Sequence, residues 1–546
     1  MDFGAYGGEA ATPTIDRLAG QGVMFTNYHT SPLCAPSRAM LLTGLDNHRA
    51  GVATIPEVLP PEQRGRPGYL MHLAPGVQTI AARLKAAGYR TYMTGKWHLS
   101  EDGKDLPNRY GFDRSFALEV SGADNWEQKS FMPYYDEAPW YEDGKPARLP
   151  DDFYSSRFLV DRMIEYLRSD EGDPRPFFAY LAFQAIHIPV QAPPEFTAKY
   201  EDVYTAGWQA LRESRWRRAQ TRRLIPLGAP LGAMPPGLRA WESLAPEDRR
   251  IYAKSMAVNA GMLEAMDFHL GRLVAYLQES GLIGNTLFAI TSDNGPAPSN
   301  PYPEPLFRLW MRRHGYSREL ATLGEKGSFC FIGPEWASAA ASPGAFFKFY
   351  VGEGGLRVPL ILSGAGVPRG RRVDALAFVT DVAPTTLDLV GVPAEEAAPA
   401  MDGRSMLDVL RGRAERVHPP DEPVGIEVSG QAALFKGDYK LVRNNPRYGD
   451  GRWHLYDLRR DPGETRDLAA SKPELFEELM ADYRAYAERN GVLEMPEGFE
   501  MHEQLRRNTI RNQIRFHAAE LLVTLLVLIG LIWLGLRAIV RAVRRC

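Results

Sequence analysis

Residues 34 to 44 read CAPSRAMLLTG and open with one of only three cysteines in a chain of 546 residues. Cys34, Cys330 and Cys546 are too few and too widely spaced for a disulfide framework or a CxxC metal site. Cys34 therefore has either a packing role or a chemical one. Other chemistry-bearing residues stand where strands are predicted to end. Lys96 and His98 follow RTYMTG, His187 follows FFAYLAFQ, Asp293 and Asn294 close NTLFAITSDN, and Lys348 lies upstream of GEGGLRVP. Taken singly, each has an ordinary structural reading, such as a hydrogen-bonded histidine or an Asp-Asn-Gly turn. Several at one sheet edge suggest a site, in which Asp and Asn oxygens suit a hard cation such as calcium or magnesium and Lys and Arg suit a tetrahedral oxyanion.

The elements that must position these residues follow from the hydrophobic pattern. VQTIAARLKAA (77 to 87) has helical spacing and stops at Gly88, and RTYMTGKW reads as the next strand. FFAYLAFQ (177 to 184) is a nearly continuous apolar run, as expected of a strand buried on both faces. Residues 251 to 279 carry Met256, Met262, Leu263, Met266, Leu270 and Leu273 at helical spacing before the strand NTLFAITSDN, and VPLILSGAG and DVAPTTLDLVG form a further strand and helix. The alternation predicts an α/β fold with a largely parallel sheet sandwiched by helices, and in such sheets ligands bind at the carboxyl ends of the strands. Past residue 405 the short segments VGIEV, QAALFKGDYKLVR and RWHLYDL, closed by a helix over 473 to 489, predict a small antiparallel subdomain over 406 to 500. Two stretches, 124 to 152 and 204 to 250, lack a clear period and read as long surface insertions.

Composition excludes some partners. With 24% charged residues, 45% hydrophobic residues and a formal net charge of -3, nothing favours nucleic acid. From Leu521 to Leu536 the chain reads LLVTLLVLIGLIWLGL, which with Ala518 and Ala519 approaches bilayer length, so 517 to 546 is expected to be a transmembrane anchor in the lipid bilayer. Arg537, Arg541, Arg544 and Arg545 follow it and favour a cytoplasmic tail with the large domain in the periplasm or otherwise outside the cytoplasm, although Arg506, Arg507, Arg511 and Arg515 precede it and reduce the asymmetry. No export signal is visible after Met1.

TPTIDRLAGQGVMFTNYHTSPLCAPSRAMLLTG resembles the formylglycine-dependent sulfatases, whose signature is Cys-x-Pro-Ser-Arg followed by Leu-Thr-Gly. GKWHL (95 to 99), HIPVQAP (187 to 193), TSDNG (291 to 295), EGGLRVP (353 to 359) and LYDLRRDPGETRDLA (455 to 469) match in the family's order over roughly residues 1 to 490, most like the large bacterial arylsulfatases. The resemblance implies an alkaline-phosphatase-like fold, with a catalytic domain over 1 to 405, and hydrolysis of sulfate esters. It implies that a formylglycine-generating enzyme recognises Cys34, Pro36 and Arg38 and converts the thiol to an aldehyde. The aldehyde's hydrate would attack sulfur, and its second hydroxyl would let the sulfated intermediate collapse. By the same resemblance Arg38 and Lys96 hold the hydrate, His98 is the base for collapse, His187 and Lys348 bind the sulfate, and His187 protonates the departing oxygen. Asp293, Asn294 and residue 34 would hold one divalent cation, calcium. Cys330 keeps the reading of a buried thiol, and Cys546 that of a tail residue open to palmitoylation.

One departure stands out. The family's cation site also uses adjacent aspartates at the end of a first strand, and this chain has no such pair; Asp2 matches a later aspartate of the pattern. The absent pair, strand and export signal together predict an N-terminal truncation. Two alternatives follow, a phosphate or phosphonate monoester hydrolase of the same superfamily and an inactive membrane-anchored remnant.

Overall fold

The computed structural model describes residues 2 to 393 and 399 to 544; Arg545 and Cys546 lie outside the described residues. Two mixed sheets form the middle of the large domain. One runs Lys145–Ala147, Trp140–Glu142, Arg114–Leu118, Arg90–Lys96, Phe177–Ala182, and the other Arg371–Val373, Gly22–Phe25, Leu360–Gly364, Leu287–Thr291. The Arg90–Lys96 strand pairs in parallel with both neighbours, Thr94 lying opposite Phe116 on one side and Leu181 on the other. It is buried along its length, as expected where helices cover both faces.

The two sheets are halves of one layer. Phe177, Ala179 and Leu181 from the first pack into the same apolar cluster as Phe288 and Ile290 from the second, with the Pro246–Glu279 helix contributing Met256, Leu263 and Leu270. Phe178 and Tyr180 face the opposite cluster, which holds Val23, Leu360 and Leu362. Where the halves meet, Phe177–Ala182 and Leu287–Thr291 are edge strands, and their residues are half-exposed. The expected full burial of FFAYLAFQ is corrected here: its composition suits an interior strand, but one edge has no neighbour among the described residues.

Helix termini follow local chemistry. The Pro246–Glu279 helix starts earlier than its apolar period suggests, because Pro246 suits the first turn and Glu247 and Asp248 favour the positive end of the helix dipole. Gly261 on this helix is held to glycine by packing, since a Cβ would come within 2.9 Å of the Phe196 backbone. The stretch 204 to 250 is not a surface insertion. Its Gly207–Thr221 helix buries Trp208, Leu211 and Arg215, and Trp208, Trp241 and Trp336 meet edge to face at 4.8 to 5.7 Å. Tryptophan and arginine rather than aliphatic residues carry that burial, which is why no period shows. Within 124 to 152, the Trp140–Glu142 and Lys145–Ala147 strands extend the first sheet.

Val424–Val428, Gln431–Lys436, Tyr439–Arg443 and Trp453–Asp457 form an antiparallel meander, over which the Pro473–Asn490 helix packs Leu479, Tyr483 and Tyr486. It is ion-paired to the large domain: His48 lies between Asp46 and Glu427 at 3.2 and 2.9 Å, and Lys440 bridges Glu353 and Glu464 at 2.9 and 2.8 Å. The Met501–Phe516 helix then docks on the large domain. Among the described residues, Ala518–Val543 is the one helix long and apolar enough to cross a membrane, and its large apolar side chains are exposed.

Candidate active site

Cys34 begins the Cys34–Thr43 helix. Proline at position 36 is tolerated because first-turn amides lack intrahelical partners. The turn leading in is tied by Ser37, whose hydroxyl accepts from the Ser31 amide at 3.0 Å and donates to the Ser31 carbonyl at 3.1 Å. The thiol is thereby fixed, buried, at the positive end of a helix.

Lys348 Nζ donates to Cys34 Sγ at 3.1 Å. Its loop is held from both sides, by the Lys348 amide on the Pro296 carbonyl at 3.1 Å and the Phe349 amide on the Pro32 carbonyl at 3.0 Å. Behind it the carboxylate of Glu353 receives His29 and Lys440, all three fully buried. The EGGLRVP segment is thus the anchor of the lysine loop on the C-terminal meander.

Lys96 and His98 come off the end of their strand. Gly95 has φ +111, and a Cβ there would lie 1.9 Å from the Ala182 carbonyl oxygen, so only glycine lets the strand close. His98 takes φ 57, unusual for a non-glycine residue, and both its ring nitrogens are buried without a hydrogen-bond partner. His187 donates from Nδ1 to the Ile188 carbonyl at 2.8 Å, which leaves Nε2 as the free nitrogen, and its ring packs edge-on to Phe131 at 5.3 Å.

The electrostatics follow. Burial alone would push the Cys34 thiol up, but Lys348 and Lys96, helped by His187 and His98, hold it well below its ordinary value. Burial, with Lys348 and Lys96 nearby, lowers His187 to about 4, so its imidazole rests neutral. Lys96 is lowered by burial against the opposing pull of the Cys34 thiolate. A buried pocket holding two lysines and two imidazoles around one atom is built to receive negative charge.

The other expected residues cluster on the adjoining side. Arg38, one turn after Cys34, donates through Nε and Nη2 to Asp293 Oδ2 at 3.1 and 2.8 Å, and through Nη1 to the Lys96 carbonyl at 2.7 Å. Asn294 donates Nδ2 to the Gly295 carbonyl at 2.8 Å and leaves Oδ1 buried without a partner. Among the described residues no group of three or more His, Cys, Asp or Glu is arranged to hold a metal. Cys330 is a buried thiol raised to about 11 by burial, remote in character from Cys34.

Sequence reasoning missed Glu57, Tyr180 and Lys440. Tyr180 OH accepts from Arg38 Nη1 at 3.4 Å, and Glu57 lies 3.9 Å from His98. Tyr180 is an ordinary member of an apolar strand, Glu57 sits in a segment without period or motif, and Lys440 is one charged residue within a short strand; none carries a signal.

Comparison with known proteins gives the family and the fold. The family model for sulfatases matches residues 1–392, and that for the C-terminal region of N-sulphoglucosamine sulphohydrolase matches residues 342–485. An uncharacterized sulfatase of Schizosaccharomyces pombe is 33% identical over 91% of this chain and 93% of its own. The arylsulfatase of Klebsiella aerogenes is 34% identical over 72% of this chain and 84% of its own. Among solved structures, Ps i-CgsB in complex with k-i-k-neocarrahexaose superposes with a TM-score of 0.64 at 23% identity, covering 93% of this chain and 94% of that one. This last likeness establishes the fold.

Proposed function

The chain belongs to the sulfatase family and hydrolyses sulfate esters, and we propose that it does so through formylglycine made from Cys34, acting on aryl sulfates and related monoesters. One observation carries the reading: the Cys34 side chain, inside an intact Cys-x-Pro-Ser-Arg sequence, is buried at a helix start with Lys348 3.1 Å from its sulfur. In the mature enzyme Sγ marks the place of a formylglycine oxygen.

Hydration of the aldehyde supplies two hydroxyls on one carbon. The first attacks sulfur as its own proton is released to water, the S–O bond to the alcohol breaks, and the departing oxygen takes a proton from His187. His187 rests neutral because of burial and the two lysines; an anionic sulfate between those lysines offsets them and raises the imidazole towards a competent donor. Lys348 and Lys96 neutralise charge on the sulfate and the hydrate, in a buried setting where such contacts count most. His98 then takes the proton of the second hydroxyl, the carbon–oxygen bond to sulfate breaks as the carbonyl re-forms, and sulfate leaves as the dianion. Water restores the hydrate, His98 gives up its proton and His187 regains one, so the balance is ester plus water to alcohol, sulfate and one proton. Arg38 supports the site from one turn away through Asp293 and the Lys96 carbonyl.

Sulfatases generally use a divalent cation, and the donors here fit a hard one in kind: the Asp293 carboxylate, the orphaned Asn294 Oδ1 and the residue-34 oxygen. When bound, such a cation polarises the sulfate oxygens. The apolar Ala518–Val543 helix is read as an anchor holding the catalytic domain at a bilayer, outside the cytoplasm.

The test is production with a formylglycine-generating enzyme, mass spectrometry of the peptide bearing residue 34, and turnover of aryl sulfates against aryl phosphates. Conversion with preferred sulfate turnover is expected; an unmodified thiol in a host that converts other sulfatases, or preference for phosphate, overturns the reading.

A further inference from the structure

Glu57 is almost completely buried, although its neighbours in sequence are Pro56, Val58 and Leu59. Its Oε1 accepts from the Tyr135 hydroxyl at 2.7 Å. Its Oε2 has no hydrogen-bond partner and lies 3.9 Å from His98 Nε2. A buried carboxylate so placed must be matched by positive charge or donors. Burial alone would raise Glu57, but His98, Ser121 and Tyr135 together bring it down to about 2, so it is ionised. Opposite it stands an imidazole held at φ 57, with both nitrogens buried and unpartnered. A strained residue over-determined by its surroundings is typical of positions where geometry matters to function.

The loop carrying Glu57 is braced from an unexpected direction. Asn508, on the Met501–Phe516 helix, donates Nδ2 to the carbonyls of Glu57 and Leu59, each at 3.0 Å. The same helix secures the loop that supplies Tyr135: Asn512 donates to the Tyr134 carbonyl at 3.0 Å and Gln513 to the Pro133 carbonyl at 2.6 Å. Tyr134 in turn donates to the Pro56 carbonyl at 3.0 Å, joining the loops. Gln504, Asn508 and Asn512 lie at helical spacing and form a polar stripe beside Met501 and Leu505, which pack on the core.

We propose that Glu57 is a positioning residue for His98: its carboxylate holds the proton on Nε2 and leaves Nδ1 to accept the hydroxyl proton when the sulfated intermediate collapses, with the Met501–Phe516 helix clamping the carboxylate in place. This rests on the reading of His98 as the base of a formylglycine enzyme. The helix next to the apolar C-terminal segment is then part of the catalytic framework rather than a spacer.

Full-length protein carrying formylglycine is compared with Glu57→Gln, which keeps the shape and the contact with Tyr135 while removing the charge, and with His98→Ala. Glu57→Gln is expected to lower kcat by about 10- to 100-fold with KM within about twofold of its original value. Quenched during turnover of an aryl sulfate, it should retain a sulfated residue-34 peptide, as His98→Ala does and the parent does not. Asn508→Leu, which removes the clamp, should show the same trapping to a smaller degree. A Glu57 role in packing alone would lower the melting temperature without trapping the intermediate, and that result overturns the proposal. So does Glu57→Gln turning over normally while His98→Ala traps. Normal turnover by His98→Ala overturns it together with the reading of His98 beneath it.

Discussion

The two sides of the site are built differently. Around residue 34, the cationic and imidazole side chains are buried or half-buried and come from three separate segments, with Lys96 and His98 from one strand end, His187 from another and Lys348 from a loop held by backbone contacts. On the side of Asp293 and Asn294, one carboxylate oxygen is engaged by Arg38 and one amide oxygen is unpartnered. Stabilising an oxyanion can be done by such fixed donors, whereas a hard cation needs about six to eight oxygens converging on one point. The described residues place fixed donors on the first side, and for the proposed cation the second side offers only a few oxygens.

The largest expected effect comes from removing the reacting group: Cys34→Ala should bring sulfate ester turnover to background while leaving the melting temperature nearly unchanged, since alanine fits the start of a helix. Wild-type-like turnover would show that residue 34 is not the nucleophile's origin. Next, Lys348→Ala should cost about 100- to 1,000-fold in kcat, the range found for single oxyanion donors. In protein produced without the generating enzyme, the same change should shift the alkylation of Cys34 to higher pH, because the lysine offsets the effect of burial on the thiol. An unmoved alkylation profile would mean that the helix start, not the lysine, sets the thiol.

The contrast sharpens when calcium is titrated. With so few donors the chain should gain little in melting temperature at millimolar calcium, and Asp293→Ala should remove what gain there is. A large stabilisation would show that further oxygens converge there.

A pH experiment probes the joint to the C-terminal meander. His48 is raised to about 9 because Asp46 and Glu427 outweigh burial. With a folded value above the unfolded one near 6.5, its contribution is fully present below about 6.5 and is lost as pH rises through 9. That contribution is on the order of 3 kcal/mol. Denaturant melts between pH 6 and 10 should show the loss, and His48→Gln should flatten it. The smallest effect is expected from deleting 517 to 546: the apolar window of the Ala518–Val543 helix is not buried, so activity per molecule should be unchanged and the product released in soluble form. Deleting from 501 onwards should instead impair turnover, because it removes Asn508.

Much of the fold was legible before any coordinates. The Arg90–Lys96 strand, the long helix ending at Glu279, the Leu287–Thr291 strand and the four strands of the meander lie where the sequence pattern and its Gly breaks put them. Elements buried through tryptophan, arginine or side-chain amides escaped. The Gly207–Thr221 helix and the hydrogen-bonding stripe of Gln504, Asn508 and Asn512 carry no aliphatic period to detect.

For the site, the sequence by itself determined the inventory: the Cys-x-Pro-Ser-Arg run, the strand-end lysine and histidines, and the Asp-Asn pair. Local chemistry at the ends of strands and helices is written in consecutive residues, so short-range spacing carries it. Only the tertiary structure decided how those groups are used. It turned Arg38 onto Asp293, set Lys348 against Cys34 across 314 positions of sequence, and brought the carboxylate of Glu57 to within 3.9 Å of His98. Charge pairing and desolvation depend on distance in space and on burial, and neither is recorded in the order of the residues.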